Sequence, residues 1–172
     1  MKAALVAILL ATSAFAQGQL PLAAAEAACG PHEVQFSTKA ADNQPLSQPE
    51  TGKSLVYVAE VFENLVNQIT RPTLRVGLDG TWVGAVKGDT YISFSIDPGE
   101  HHLCTKWQPL LKQFSDKAAF TSFTADPGKV YYFRARIIAG GSSFALDLES
   151  VNEDEGKYLV ASSAFIASQP KK

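Results

Sequence analysis

The dipeptide Asp79–Gly80 lies between two short apolar runs, residues 73–78 and 81–86, and it narrows the possible folds more than any other feature of the chain. Asp-Gly in this setting is the strongest short-range signal for a β-hairpin, because a type I′ turn needs two residues that tolerate positive φ. The sequence therefore predicts two antiparallel strands that are joined at residues 79 and 80.

A second turn sequence, Asp-Pro-Gly, occurs twice, at Asp97–Gly99 and at Asp126–Gly128. Proline presets φ in such a turn, and glycine adopts a positive φ without strain. Each copy follows an alternating strand pattern and leads into another predicted strand, His101–Trp107 or Val130–Ile138. We expect each of these stretches to return as the hairpin partner of the strand before it.

Further segments complete the predicted fold. Residues 32–37, 54–62 and 143–148 have strand patterns, and the continuous apolar run Leu55–Ala59 predicts burial on both faces of its strand. Turn signals recur at the spacing typical of all-β domains, so we predict a mainly β fold, an antiparallel β-sandwich of about eight strands. At most one short C-terminal helix is expected, with Asn152 as its N-cap and Glu155 completing a capping pair.

The N-terminus has the pattern of a secretory signal peptide. Met1 and Lys2 precede an uncharged apolar run that ends in the small-x-small sequence Ala14-Phe15-Ala16. The run is shorter than the roughly 20 apolar residues that a transmembrane helix needs, so no membrane span is expected after cleavage. We predict a signal peptide over residues 1–16, export to the periplasm or the medium, a flexible leader over 17–28, one domain over 29–167 and a disordered tail over 168–172.

The chain has two cysteines, Cys29 and Cys104. Thiols that reach an oxidising compartment form disulfides, so we predict that these two pair. Two alternatives stay open from the sequence. The residues before Cys29 weakly resemble a lipidation signal, in which case Cys29 would carry a lipid, and both cysteines could also be free buried thiols.

The charge of the chain excludes one class of function. There are 15 basic and 17 acidic side chains, for a net charge of −2, and the basic residues form no cluster beyond Lys171–Lys172. Nucleic-acid binding requires a basic surface that neutralises phosphates, so no nucleic-acid partner is expected.

The residues that could contact a ligand are two tryptophans and two adjacent histidines, namely Trp82, Trp107, His101 and His102. Neighbouring strand residues face opposite sides of a sheet, so His101 and His102 cannot easily bind one ion. A zinc site that combined His102 with His32 and Cys104 would have to give up the disulfide. We therefore predict no metal, no cofactor and no catalytic residues. A metal-binding or hydrolytic domain that uses His101 and His102 is the alternative.

Five segments together resemble a family of bacterial exported proteins that is known as domain-of-unknown-function family 2846. They are Ala28–Pro31, Leu55–Val58, Val76–Gly84, Pro98–Cys104 and Gly128–Arg134. The resemblance covers roughly residues 29–164 and implies an exported β domain, but it transfers no activity and no functional residue. The stretch from Leu78 to His101 also resembles short β repeats of the cell envelope, which implies an accessory or surface module. From these features we expect a non-catalytic envelope module that binds a protein or a glycan.

Overall fold

The computed structural model describes residues 29–41, 47–61, 72–108, 117–140 and 143–171. The predicted signal peptide and leader lie outside these ranges. The described residues form ten strands and one helix: β1 Phe36–Ala40, β2 Ser54–Val61, β3 Thr73–Leu78, β4 Thr81–Val86, β5 Thr90–Ile96, β6 Gly99–Gln108, β7 Ala118–Ala125, β8 Val130–Gly140, β9 Ser143–Val151, α1 Glu153–Ser162 and β10 Ala164–Pro170. The prediction of a mainly β chain is confirmed, with ten strands instead of about eight.

The strands form two sheets. One has six strands in the order β1-β10-β5-β2-β8-β9, and the other has four in the order β4-β3-β6-β7. The expectation of purely antiparallel sheets is wrong at two places, because β2 pairs with β8, and β10 with β5, in parallel. Local sequence patterns specify a strand but not the distant strand beside which it lies, so neither parallel pair was predicted.

The Asp79–Gly80 hairpin is confirmed. Asp79 and Gly80 have φ values of 49° and 79°, which fit a type I′ turn, and β3 and β4 pair on either side of it. The two Asp-Pro-Gly turns behave differently, because each one crosses from one sheet to the other. The predicted hairpins at these turns are therefore wrong. The turns lie side by side, since Gly99 is paired with Ala125.

Side chains from both sheets form one hydrophobic core. The six-stranded sheet contributes Val56, Val58, Ile92, Phe133 and Ile137, and the four-stranded sheet contributes Leu74, Val76, Leu103 and Trp107, among others. The alternate residues Leu55, Tyr57 and Ala59 of β2 belong to a second cluster together with Leu159 of α1. The predicted burial of β2 on both faces is thus confirmed, because α1 covers the outer face of the six-stranded sheet.

Helix α1 begins after the predicted N-cap, Asn152, but the carboxylate of Glu155, which was expected to complete a capping pair, bonds to Arg134. The side chain of Asn152 accepts a hydrogen bond from the amide of Glu155 at 3.0 Å. Gly156, which lowers helix propensity, lies directly against Tyr132 of β8. A Cβ atom at Gly156 would come within 2.1 Å of Cγ of Tyr132, so glycine is required by the close approach of helix and sheet.

We expect Gly156→Ala to destabilise the protein by about 1–3 kcal/mol, which is the usual cost of overpacking a well-packed interface. The sign of this change in the free energy of unfolding is informative, because replacing glycine by alanine in an exposed helix stabilises the helix by about 1 kcal/mol. Tyr158→Ala is the matched control, since this side chain is 70% exposed on the same helix. Urea unfolding of the three proteins tests this. A Gly156→Ala variant as stable as the wild type would contradict the packing described.

The chain end differs from the prediction. Residues 168–170, expected in a disordered tail, belong to β10, and β10 pairs with β1 in the register Phe36↔Pro170 to Ala40↔Ile166. The amide of Lys171 also donates to the carbonyl of Gln35 at 2.7 Å. Residues 168–170 have the sequence Ser-Gln-Pro, which gives no strand pattern, and pairing with the distant strand β1 holds them in place. Among the described residues, no helix is long and apolar enough to cross a membrane.

Candidate functional site

The disulfide between Cys29 and Cys104 is the centre of the site. Its Cα atoms are 5.3 Å apart, and both residues are fully buried. The predicted pairing is confirmed, and it leaves neither sulfur available for a lipid or a metal. Cys104 lies on β6 opposite Gly77 of β3, on the face of the four-stranded sheet that points away from the core.

Gly77 allows the N-terminal segment to approach the sheet. A Cβ atom at this position would lie 2.1 Å from the carbonyl oxygen of Cys29. Because the clash would be with backbone, no side-chain movement could relieve it. The glycine in β3 is thus the sequence feature that lets Cys29 reach Cys104.

Two side chains of the β3–β4 hairpin bind the segment that follows Cys29. Arg75 donates through Nη1 to the carbonyls of His32 and Val34, at 2.9 and 2.7 Å. Trp82 donates through Nε1 to the carbonyl of Pro31 at 2.7 Å. We call Arg75, Trp82 and the disulfide the N-terminal clamp. It binds main-chain carbonyls, so it fixes the path of the segment independently of most of its side chains.

Arg75 and Trp82 also support each other. The guanidinium carbon of Arg75 lies 4.5 Å from the centre of the Trp82 ring, a cation–π geometry. Arg75 is only 2% exposed, and burial lowers the pKa of its guanidinium. A cation in this position is stabilised by the carbonyls and the aromatic ring around it. The clamp therefore depends on Arg75 being enclosed by the segment that it binds.

The structure places the two predicted ligand-binding tryptophans in different settings. Trp82 is partly exposed, but its N–H group and one ring face belong to the clamp. Trp107 is part of the core and contacts Phe144 edge to face at 6.0 Å between ring centres. Trp82 follows the Asp79–Gly80 turn closely, a position that predicts partial exposure, whereas nothing local to Trp107 indicated that it lies in the core.

His101 lies between two acceptors. Its Nδ1 is 2.7 Å from Oδ2 of Asp79, and its Nε2 is 2.8 Å from the carbonyl oxygen of Asp97. Two acceptors require both ring nitrogens to donate, so the geometry fits the imidazolium form. An imidazolium in this contact can neither bind a metal nor act as a general base. His102 is exposed, and its amide donates to Oδ1 of Asp79 at 2.8 Å.

The pKa values agree with this geometry. Burial lowers the pKa of His101, but hydrogen bonds to Asp79 and Asp97 and their negative charges outweigh it, so the pKa is raised. For Asp79 the effects have the opposite sign. Burial raises its pKa, but hydrogen bonds from the His102 amide and the His101 ring outweigh burial, so the pKa is lowered. The pair thus joins the β3–β4 turn to β6 in its charged form.

This pair predicts a pH dependence of stability. Because the pKa of His101 is raised, its contribution to stability is complete below about pH 6.5, which is the pKa of histidine in the unfolded chain. This contribution is lost as pH rises through the pKa of His101 in the folded protein. The lowered pKa of Asp79 means that its contribution is complete above about pH 4 and is lost as pH falls. We expect His101→Gln to remove about 1 kcal/mol at pH 6 and less at pH 9.

The exposed neighbour provides the control. His102→Gln should leave the free energy of unfolding nearly unchanged at both pH values, because its ring faces solvent. Chemical denaturation of the three proteins at pH 6 and pH 9 measures the difference. Equal losses for the two variants, or a larger loss for His101→Gln at pH 9, would refute the assignment of His101 as an imidazolium.

Two charged residues that are important for the structure were not predicted from the sequence. Arg75 is the only charged residue of β3, and Glu60 ends the apolar run of β2. A lone charge in an otherwise buried strand is the signal that could have identified both, because such a group must find a partner or lose its charge. Within the described ranges, no group of three or more His, Cys, Asp or Glu side chains is arranged to hold a metal ion.

Comparison with known proteins adds no relative: no family model, curated protein or solved structure matches the chain. Chemically, the site combines a buried disulfide, carbonyl-binding donors and a charged histidine–aspartate pair. Each of these holds polypeptide in place.

Proposed function

We propose that this chain is an exported, non-catalytic β-sandwich module of the bacterial cell envelope that acts through contacts with a protein or a glycan. The buried Cys29–Cys104 disulfide is the observation that carries the proposal. Structural disulfides persist in oxidising compartments outside the cytoplasm. A domain that relies on one to anchor its first described segment is suited to such a compartment.

The N-terminal sequence supports the same location. Residues 1–16 have the charge, the apolar run and the small-x-small end of a signal peptide, and the disulfide begins soon after the leader that would follow cleavage. The mature chain would therefore be periplasmic or secreted. The clamp would hold the domain end of the leader against the four-stranded sheet.

The contacts made by the histidine and the tryptophans that the sequence suggested as ligand contacts favour binding over catalysis. Both nitrogens of His101 face acceptors, the N–H of Trp82 is bonded within the clamp, and Trp107 packs in the core. These side chains serve the fold. Three exposed apolar side chains, Phe120, Ile138 and Tyr158, are available for contacts instead.

We also propose membership of domain-of-unknown-function family 2846. The motifs that carry the resemblance contain the residues on which the site depends, including Cys29, Gly77, Asp79, His101 and Cys104. A shared motif that builds a disulfide clamp would explain why these short segments occur together. The family membership implies no activity.

Site-specific photo-cross-linking in living cells tests the binding function. A photoreactive phenylalanine analogue placed at Phe120, Ile138 or Tyr158 should give one discrete adduct with an envelope protein or glycan from at least one position. The same analogue at the buried Trp107 is the control and should give none. Absence of an adduct from all three positions, or a specific hydrolytic activity in the purified protein, would contradict the proposal.

The alternative function is a metal-binding or hydrolytic domain that uses His101 and His102. His102 is the observation in its favour, because this histidine is exposed beside the Asp79 carboxylate. Elemental analysis of protein purified without an affinity tag separates the two functions. Stoichiometric metal that is lost in His102→Gln would support the alternative, and absence of metal would remove its basis.

A further inference from the structure

Glu60 is a fully buried carboxyl group near the end of β2. It lies opposite Thr90 of β5 on one side and Ala135 of β8 on the other, so paired strands flank it. By alternation it points to the same side as Val56 and Val58, towards the space between the two sheets. A charged side chain in such a place requires a specific environment.

The environment of Glu60 satisfies only one of its oxygens. Oε2 accepts a hydrogen bond from the amide of Gly88 at 2.9 Å. Oε1 is buried and has no hydrogen-bond partner among the residues that the structure describes. An ionised carboxylate needs several donors, whereas a neutral carboxylic acid needs fewer and can donate its own proton. The contacts therefore fit the protonated form.

The charges around Glu60 do not offset its burial. Lys87 and Asp89, of opposite sign, belong to the turn between β4 and β5, and both are exposed. On β8, Arg134 and Arg136 flank Ala135 but bond to Glu149 and Asp147 on the other face of the sheet. Burial raises the pKa of Glu60 to about 8, against a smaller lowering by the Gly88 hydrogen bond.

The turn that contacts Glu60 is also bonded to β10. Gly88 and Asp89 have positive φ values of 54° and 45°, and the amide of Lys87 donates to Oγ1 of Thr90 at 2.9 Å. The carbonyl of Asp89 accepts from the amide of Ala164, the first residue of β10, at 3.0 Å. One short turn thus connects the Glu60 carboxyl group to the start of the C-terminal strand.

We propose that Glu60 is a proton-controlled latch: its neutral form holds the β4–β5 turn closed, and its ionisation opens the turn and frees the start of β10. The physical reason is hydration. An ionised carboxylate must reach water, and the exposed turn bonded to it can move at lower cost than the buried strands β5 and β8. Opening breaks the bond between Ala164 and Asp89, so the proton on Glu60 controls the edge where β10 joins β5.

Hydrogen exchange of the full chain, followed by NMR at low denaturant, tests the latch. If opening releases one proton, the protection factor of the Ala164 amide should fall about tenfold per pH unit between pH 6 and 8 and level off above pH 8. In Glu60→Gln it should not change with pH. The exchange should also be insensitive to denaturant, because a local opening exposes little surface, whereas the most protected amides of β6 should respond to it.

Two results would overturn the latch. One is the same pH slope for Ala164 in the wild type and in Glu60→Gln. The other is exchange of Ala164 with the protection and denaturant dependence of the β6 amides. If Glu60→Gln does not fold, the carbon-13 shift of the Glu60 carboxyl group in the wild-type protein decides instead. A midpoint near 8 supports the latch, and a midpoint near the ordinary value for glutamate refutes it.

Discussion

The variant Cys29→Ala/Cys104→Ala should lose about 2–5 kcal/mol of its free energy of unfolding, a large part of the stability of a domain of this size. The disulfide closes a long loop, because its cysteines are 75 residues apart in the sequence. Without it the unfolded chain gains freedom, and in the folded chain the covalent link is lost while the hydrogen bonds from Arg75 and Trp82 to this segment remain. Urea unfolding under oxidising conditions measures the loss.

Glycine variants provide a matched test of the same contact. Gly77→Ala should reproduce much of the loss and leave part of the protein with free thiols, because the added Cβ would collide with the backbone of Cys29. Gly84→Ala should cost less, since the atoms nearest to its Cβ are the side-chain ends of Ser168 and Ile92. A loss below about 1 kcal/mol for the double cysteine variant would contradict the role of the disulfide.

The second large effect is a gain in stability from Glu60→Gln. The pKa of Glu60 is raised to about 8 in the folded protein, above the unfolded value of about 4.5. Its contribution to stability is therefore complete below about pH 4.5 and is lost as pH rises towards 8, at about 1.4 kcal/mol per pH unit. Glutamine is neutral at every pH, so the variant should be more stable by about 3 kcal/mol at pH 7.

The pH series distinguishes this effect from a general change in packing. Wild type and Glu60→Gln should have similar stability near pH 4 and diverge as pH rises. Glu100→Gln is the control, because this carboxylate is exposed on β6 and should leave the pH profile unchanged. A Glu60→Gln variant that is less stable than the wild type at pH 7, with the same pH slope, would show that Glu60 is ionised in the folded protein.

Local features of the fold were predictable because they depend on adjacent residues. The Asp79–Gly80 turn needs two residues with positive φ, and the N-cap bond joins Asn152 to the amide of Glu155 within one helical turn. The double burial of β2 followed from its continuous apolar run. In each case the physical constraint and the residues that meet it lie within a few positions of each other.

Features that depend on distant pairing were not predictable. An Asp-Pro-Gly turn sets φ locally, but whether the next strand stays in the same sheet depends on β2, which lies between β5 and β8. The same holds for β10, whose partner β1 is near the other end of the chain. Strand register and sheet membership are long-range contacts, and a single sequence carries no direct record of them.

The candidate site also has features that the sequence predicted and features that it did not. Cys29 and Cys104 could be paired from the sequence because only one intramolecular disulfide was possible. The structure instead revealed Arg75 as the residue that binds the N-terminal carbonyls, and Glu60 as a buried acid. A lone charge in each apolar strand could have marked both residues, but their partners needed the fold to be known, since these are a separate segment and a separate turn.

The intact mass of the mature protein tests most directly whether this is an exported, disulfide-clamped domain. The full chain would be expressed in a bacterium with its own N-terminus and purified from the periplasm without reductant. We expect a chain that begins at Gln17 and lacks two hydrogens relative to the reduced form, with Cys29 and Cys104 in one cross-linked peptide. A cytoplasmic protein that retains Met1 and has two free thiols, or a mature chain with a lipid on Cys29, would contradict the account.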